Sequence, residues 1–275
     1  MGRDPGFPPL PWAHRPALLG LLLLLATAYA SGWWRLARRA RRLVTWWRPS
    51  LTLLGLTSLA LALVSPLGAR AHRRFTPHMI QHNLLLVAAP ALLLADPFAA
   101  LLWALPARAR FPAGRLLVRG ALVRRVWQTL TRMPVAWIAY AGVLWGWHLP
   151  WAYESALGDR LLHDLEHLFF FGSAILFWWP VVNPAPHFAP QVHPALRVVY
   201  LVTGALQGAA LGLLLAASPV VLYPSYAAPS EPGPLGPLDD QALGGVVMWA
   251  VGGAVDTLAV ILLLYRFFAR DVARS

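Results

Sequence analysis

Residues 161 to 182 read Leu161-Leu162-His163-Asp164-Leu165-Glu166-His167-Leu168-Phe169-Phe170-Phe171-Gly172-Ser173-Ala174-Ile175-Leu176-Phe177-Trp178-Trp179-Pro180-Val181-Val182, and this stretch decides the fold. From Leu168 onward no side chain is charged. As a helix rising about 1.5 Å per residue, it is long enough to cross the ~30 Å hydrocarbon core of a bilayer. Its first two turns nonetheless carry two histidines and two acids. The segment is therefore a membrane span with metal-binding chemistry concentrated at one end.

The same apolar pattern recurs at residues 16 to 34, 50 to 67, 78 to 104, 134 to 150, 195 to 222 and 243 to 267. With 58% hydrophobic residues, 12% charged residues and 14 Trp, the 275-residue chain has more apolar surface than one soluble core can bury. The expectation is an all-α polytopic membrane protein, a bundle of seven transmembrane helices forming a single integral membrane domain over residues 1 to 275. All 23 basic residues are Arg. Arginines in short loops orient such proteins and hold anionic headgroups, so membrane lipids are the expected partners and nucleic acid is not. There is no Cys, which excludes disulfides and thiolate ligands.

Alternate intervals between the spans hold 17 and 6 arginines. Assigning the rich set to the cytoplasm places the N-terminus outside and the C-terminus inside. A competing reading makes residues 1 to 30 a signal peptide, with Arg3 and Arg15 ahead of Leu18 to Leu25 and a cleavage site at Ala28-Tyr29-Ala30. Cleavage would send the arginine-rich stretches Arg35 to Arg48 and Arg108 to Arg132 across the membrane, against the charge bias, so an uncleaved first span is preferred. Residues 105 to 133 alternate Arg115, Arg119, Arg124 and Arg125 with Leu116, Leu117, Leu122, Val123, Val126 and Trp127, as an interfacial helix does. Residues 224 to 240, rich in Pro and Gly and carrying Glu231, Asp239 and Asp240, read as a flexible external lid or docking segment.

On this topology five histidines share one depth on the outer side. His78 and His82 open the third span, His148 closes the fourth, and His163 and His167 open the fifth. Each i, i+4 pair stacks two imidazoles on one helix face, and Glu166 lies near His163 on a neighbouring part of its face. A single interfacial histidine is ordinary. Two pairs plus a third helix's contribution let one metal draw ligands from separate spans, as bundle metal sites do. Imidazole suits copper, zinc, iron and nickel, while thioether favours Cu(I). Met248, in the outer half of the seventh span, is the better placed thioether, whereas Met79 is turned about 100° from His78 on the helix. His14, His72, His187 and His193 lie in polar flanks or loops and are not expected to be ligands. Asp96, before Pro97, reads as a cap at the inner interface. Asp256, deep in the seventh span, is a functional candidate because an ionisable group there is costly.

The strings His78-Met79-Ile80-Gln81-His82, Trp147-His148-Leu149-Pro150, His163-Asp164-Leu165-Glu166-His167, Trp178-Trp179-Pro180, Leu222-Tyr223-Pro224 and Asp240-Gln241-Ala242-Leu243-Gly244-Gly245, followed by Met248-Trp249, resemble the CtaG family of cytochrome c oxidase assembly factors over roughly residues 50 to 268. The chain departs from that pattern at Asn83 and at Ala250-Val251, neither of which is an expected ligand. The single-span, cysteine-bearing copper chaperones that share the family name are excluded by the absence of Cys. The resemblance implies a seven-span, multi-pass protein of the bacterial plasma membrane that assists maturation of haem-copper oxidase, with copper as cargo and the copper-bearing oxidase subunits as partners. On that view His78, His82, His163 and His167 form the primary shell, and His148 is an entry or exit ligand. Glu166 orients an imidazole or balances charge, and exposed ligands at the outer interface exchange one at a time with those of the target. No enzymatic activity is expected.

The rival readings are distinct. His163-x-x-Glu166-His167 matches the H-x-x-E-H pattern of inverted zinc metalloproteases, but a protease has no use for His78, His82 and His148 at the same depth. A haem protein needs axial ligands facing each other across the macrocycle, whereas each pair here lies within one helix. A metal-free scaffold for oxidase subunits would bind no ion at all.

Overall fold

The computed structural model describes residues 15–187, 192–228 and 233–272. Arg3, His14, Pro190 and Glu231 lie outside them. The described residues are helical, without strands. In chain order the helices are α1 (Pro16–Arg39), α2 (Arg48–Val64), α3 (Leu67–Ala71), α4 (Phe75–Ala95), α5 (Phe98–Ala104), α6 (Ala107–Arg119), α7 (Ala121–Leu130), α8 (Met133–Trp147), α9 (Pro150–Gly158), α10 (Arg160–Val182), α11 (Pro194–Ala217) and α12 (Pro237–Val272). Five of them, α1, α4, α10, α11 and α12, are long and apolar enough to cross a membrane, and α2 is a shorter apolar helix. The chain thus has the architecture of a multi-pass membrane protein.

Proline sets many of the boundaries. It stands in the first turn of α1, α2, α8, α9 and α11, where its missing N–H would have had no partner. Conversely, the residue before a proline is pushed out of the helical region. This shortens three of the expected spans. The third, 78 to 104, breaks after Ala95 into α4 and α5 because Asp96 precedes Pro97 and adopts φ 46°. The fourth ends at Trp147 and restarts at Pro150 as α9, with Leu149 extended. The sixth ends at Ala217 because Ser218, before Pro219, is extended.

Asp96 therefore does more than the cap expected of it, since Pro97 occupies the position before α5. One carboxylate oxygen pairs with Arg48 at 3.2 Å and the other accepts the Ala185 N–H at 3.1 Å. It ties the start of α2 and the chain after α10 to the end of α4. The expected single interfacial helix between 105 and 133 is instead two, α6 and α7, broken at Gly120, with Phe111, Leu116, Leu122 and Val126 exposed. Of the expected lid at 224 to 240, residues 224–228 and 233–240 are described, and it is anchored at two points. Tyr223 and Tyr226 are buried, and Asp240 lies buried in the first turn of α12.

Helix α4 is the centre of the bundle, packed by α2, α3, α10 and α12. Helices α1 and α12 are peripheral, and Leu21, Leu23 and Leu24 on one and Leu258, Ile261 and Leu262 on the other are exposed, as lipid-facing side chains are. Helices α11 and α12 approach closely where Gly212 meets Gly245: a Cβ on Gly245 would stand 2.5 Å from the Gly212 carbonyl oxygen. Close backbone approach through small residues is the usual means of helix association in lipid.

Candidate metal centre

Three helix ends converge to build the site. The first turn of α4 is pinned to the first turn of α12, because the Phe75 N–H donates to an Asp240 carboxylate oxygen at 2.8 Å and the Thr76 hydroxyl to the Asp240 carbonyl. The first turn of α10 is capped by Asp159, whose side chain accepts the Leu162 N–H at 2.9 Å. The end of α8 is held by Tyr223, whose hydroxyl donates to the His148 carbonyl. Gln241 closes the loop between α11 and α12 by accepting the Leu222 N–H and donating to the Leu215 and Val220 carbonyls.

These constraints bring all five expected histidines together. The ring centroids of His78 and His163 are 5.6 Å apart, those of His82 and His167 5.7 Å, and those of His82 and His148 6.2 Å. Two groups of candidate ligand atoms result, each with its atoms within 4.8 Å of one another. One is His78, His82 and Glu166; the other is His163, Asp164 and His167.

In the first group the Nε2 atoms of His78 and His82 stand 2.9 Å apart. The Tyr226 hydroxyl has one proton, given to the Ala71 carbonyl at 2.7 Å, so toward His78 Nδ1 at 2.9 Å it accepts. Burial holds the Tyr226 phenol well above its usual pKa, so it keeps that proton. His78 is thereby set as the Nδ1–H tautomer with its Nε2 lone pair aimed into the site. His148 is fixed likewise: its Nδ1–H donates to the Leu144 carbonyl at 2.6 Å, and its buried Nε2 has no partner. A hydrogen bond from the far ring nitrogen that sets the tautomer in this way is characteristic of metal-ligating histidine.

Glu166 is the most telling residue. Its side chain is 1% exposed, and neither carboxylate oxygen has a hydrogen-bond partner. The nearest groups are His82 Nε2 at 3.6 Å and His78 Nε2 at 3.9 Å, beyond hydrogen-bond range. A buried carboxylate left this way is costly. A cation between these atoms would satisfy the carboxyl and His78 Nε2, and His82 Nε2 as well once its proton moves to the unpartnered Nδ1, so the residues fit a metal ion.

The second group shares the buried imidazoles but not the buried carboxylate. His163 Nε2 and both ring nitrogens of His167 are buried without partners, while Asp164 is held by Arg15 at 2.7 Å. His72 lies against His163, ring centroids 4.9 Å apart and the planes tilted by 36°. Burial and the nearby Arg15 guanidinium keep the His72 imidazole below its usual pKa and so neutral at pH 7.

Several expectations change. The ligands are not exposed at an interface: His78, His82, His148, His163 and His167 are all at most 6% exposed, because α3, α9 and the Tyr223–Tyr226 segment cover the helix ends. Glu166 groups with His78 and His82, not with the pair on its own helix, so the arrangement an inverted zinc protease would need is not the one formed. Met248 and Met79 pack in the apolar core with Leu85 and Leu144. Asp256 lines a separate small cleft with Tyr140, Gly204 and Met248. Sequence reasoning passed over Asp164, though it lies inside the His163–His167 motif, and dismissed His72, which only the turn after α3 brings to the cluster.

No curated protein and no solved structure matches the chain. The model of the cytochrome c oxidase caa3 assembly factor family matches residues 27–270, nearly the whole length and every element that builds the histidine cluster. The chain belongs to the cytochrome c oxidase caa3 assembly factor family.

Proposed function

We propose that this protein is a seven-span factor of the bacterial plasma membrane that binds copper in the histidine cluster and passes it to a copper-bearing oxidase subunit. In this reading α2 and α8 are short spans beside the five long ones. The arginine-rich ends face the cytoplasm, the N-terminus lies outside, and the cluster sits near the outer surface. His78, His82 and Glu166 hold the ion, and His148 offers its free Nε2 as a further ligand. His163 and His167 complete the donor set. Met248 is a core residue in this proposal and not a ligand.

The observation that carries the reading is the buried, unpartnered Glu166 carboxylate beside two imidazole nitrogens. Imidazole and carboxylate suit Cu(II) and Zn(II), whereas Cu(I) prefers sulfur. The family's tie to oxidase assembly favours copper as the cargo. The protein acts by binding and release and catalyses no reaction. Because the ligands are covered, release requires the Tyr226 segment to move, so transfer follows docking of the acceptor.

The test is metal analysis of the purified protein after copper loading, wild type beside His78→Ala/His82→Ala. Copper bound by the wild type and reduced in the variant supports the reading. Zinc retained in preference to copper would replace the cargo, and no metal in either would leave a scaffold.

A further inference from the structure

A cavity of about 500 Å³ opens between α1 and α10, lined by Leu18, Leu22, Arg15, Arg160, Asp164 and His167. Its wall reaches the second ligand group and stops there: His78, His82 and Glu166 do not line it. The two groups face each other ring to ring, His167 against His82 and His163 against His78. Their donors are alike, two imidazoles and one carboxylate, but Glu166 is buried and the Asp164 side chain is 41% exposed. Glu166 has no partner, whereas Asp164 is already engaged by Arg15 at 2.7 Å.

We propose that His163, Asp164 and His167 form a second metal site, an entry station that receives a divalent ion of the Cu(II) or Zn(II) class from the cavity and hands it to His78, His82 and Glu166, with Arg15 as its latch. The inference rests on the metal-binding reading above and divides its histidines between two sites. The entering ion takes over the Asp164 carboxylate from the Arg15 guanidinium, one cation replacing another. The imidazoles bind as neutral ligands through ring nitrogens that have no other partner, so they release no proton and no electron is transferred. The ion then passes to the inner group, where no cation competes for the Glu166 carboxyl and any proton that group carries leaves as the ion binds, and Asp164 recovers Arg15. The two imidazole pairs are close enough for the ion to exchange ligands one at a time between them.

The experiment uses the full chain in lipid nanodiscs and Zn(II) as probe, with bound ion counted after equilibrium dialysis and loading rate followed by a zinc-responsive dye. The wild type is expected to bind two ions. Asp164→Asn is expected to bind one, as is His78→Ala/His82→Ala. Arg15→Gln is expected to bind two and to load roughly fivefold faster, the scale of losing one partly exposed ion pair. A single wild-type ion that survives Asp164→Asn and is lost in His78→Ala/His82→Ala overturns the entry station while leaving the inner site intact. Two ions unaffected by Asp164→Asn also overturn it, and so does no zinc in the wild type, while the copper-loading test above decides the inner site. Should Asp164→Asn fail to fold, the loading rate of Arg15→Gln decides: an unchanged or slower rate is the overturning result.

Discussion

His78 and His82 hold their Nε2 atoms 2.9 Å apart at one end of α4, with the Glu166 carboxylate of α10 closing the third side. His82 donates its Nε2–H to the His78 Nε2 lone pair, and moving that proton to the unpartnered His82 Nδ1 would turn both nitrogens and the Glu166 carboxyl into lone-pair donors converging on one point. Everything around them, from the Asp240 anchor to the Tyr226 hydroxyl, keeps that convergence in place.

Glu166→Gln separates charge from shape. The amide keeps the volume and loses the anion, so metal affinity should fall by more than ~100-fold, beyond the loss usual for an outer-shell partner. The metal-free protein should melt at about the same temperature, because the carboxyl makes no hydrogen bond to lose and the amide has the same size. Calorimetric titration and thermal unfolding of the apo protein check both. A destabilised apo variant would mean that the carboxylate has a structural partner.

Tyr226→Phe removes the acceptor that sets the His78 tautomer and the donor to the Ala71 carbonyl. Leaving those buried groups unpaired should cost about 1–3 kcal/mol of stability. Metal affinity should drop about 10- to 100-fold as His78 becomes free to change tautomer. Affinity equal to wild type in a folded Tyr226→Phe protein would show that the hydroxyl does not tune the ligand.

At the far end of α4, Asp96 combines a left-handed backbone with two polar contacts. Asp96→Gly relieves the backbone and loses the contacts, whereas Asp96→Ala also incurs about 1–2 kcal/mol of left-handed strain. The alanine variant should therefore be the less stable of the two by about that amount, with metal binding unchanged in both. Chemical denaturation of the pair measures the difference, and equal stability would remove backbone strain from the account.

Because the chain has no Cys, single introduced thiols can report its orientation. Ser155→Cys, at an exposed position of α9, should react with a membrane-impermeant maleimide on intact cells, while Ala107→Cys, at the start of α6, should react only after lysis. The reverse pattern would invert the topology and place the histidine cluster on the cytoplasmic side.

The composition and the spacing of apolar runs were enough to determine an all-helical membrane architecture, since lipid demands helices that satisfy their own backbone. The positions of the two i, i+4 pairs and of His148 likewise marked where a metal centre could lie, because helical periodicity puts each pair on one face whatever surrounds it. Proline positions carried the helix breaks at Asp96, Leu149 and Ser218, although long apolar runs hid them.

What only the tertiary structure decided is which side chains face each other. Period and spacing place Glu166 on the helix of His163 and His167, but its partner is set by how α10 packs on α4, and it turns to His78 and His82. The same packing assigns Asp164 to its own helix's pair, brings His72 onto His163, and sends Met79 and Met248 into the core. It also buries the cluster beneath Tyr223 and Tyr226, which lie in a segment whose composition alone reads as a loop. Local sequence sets the face a residue occupies on its own helix, while contacts between helices depend on crossing geometry and on long-range bonds such as Asp240 to Phe75, which no single segment encodes.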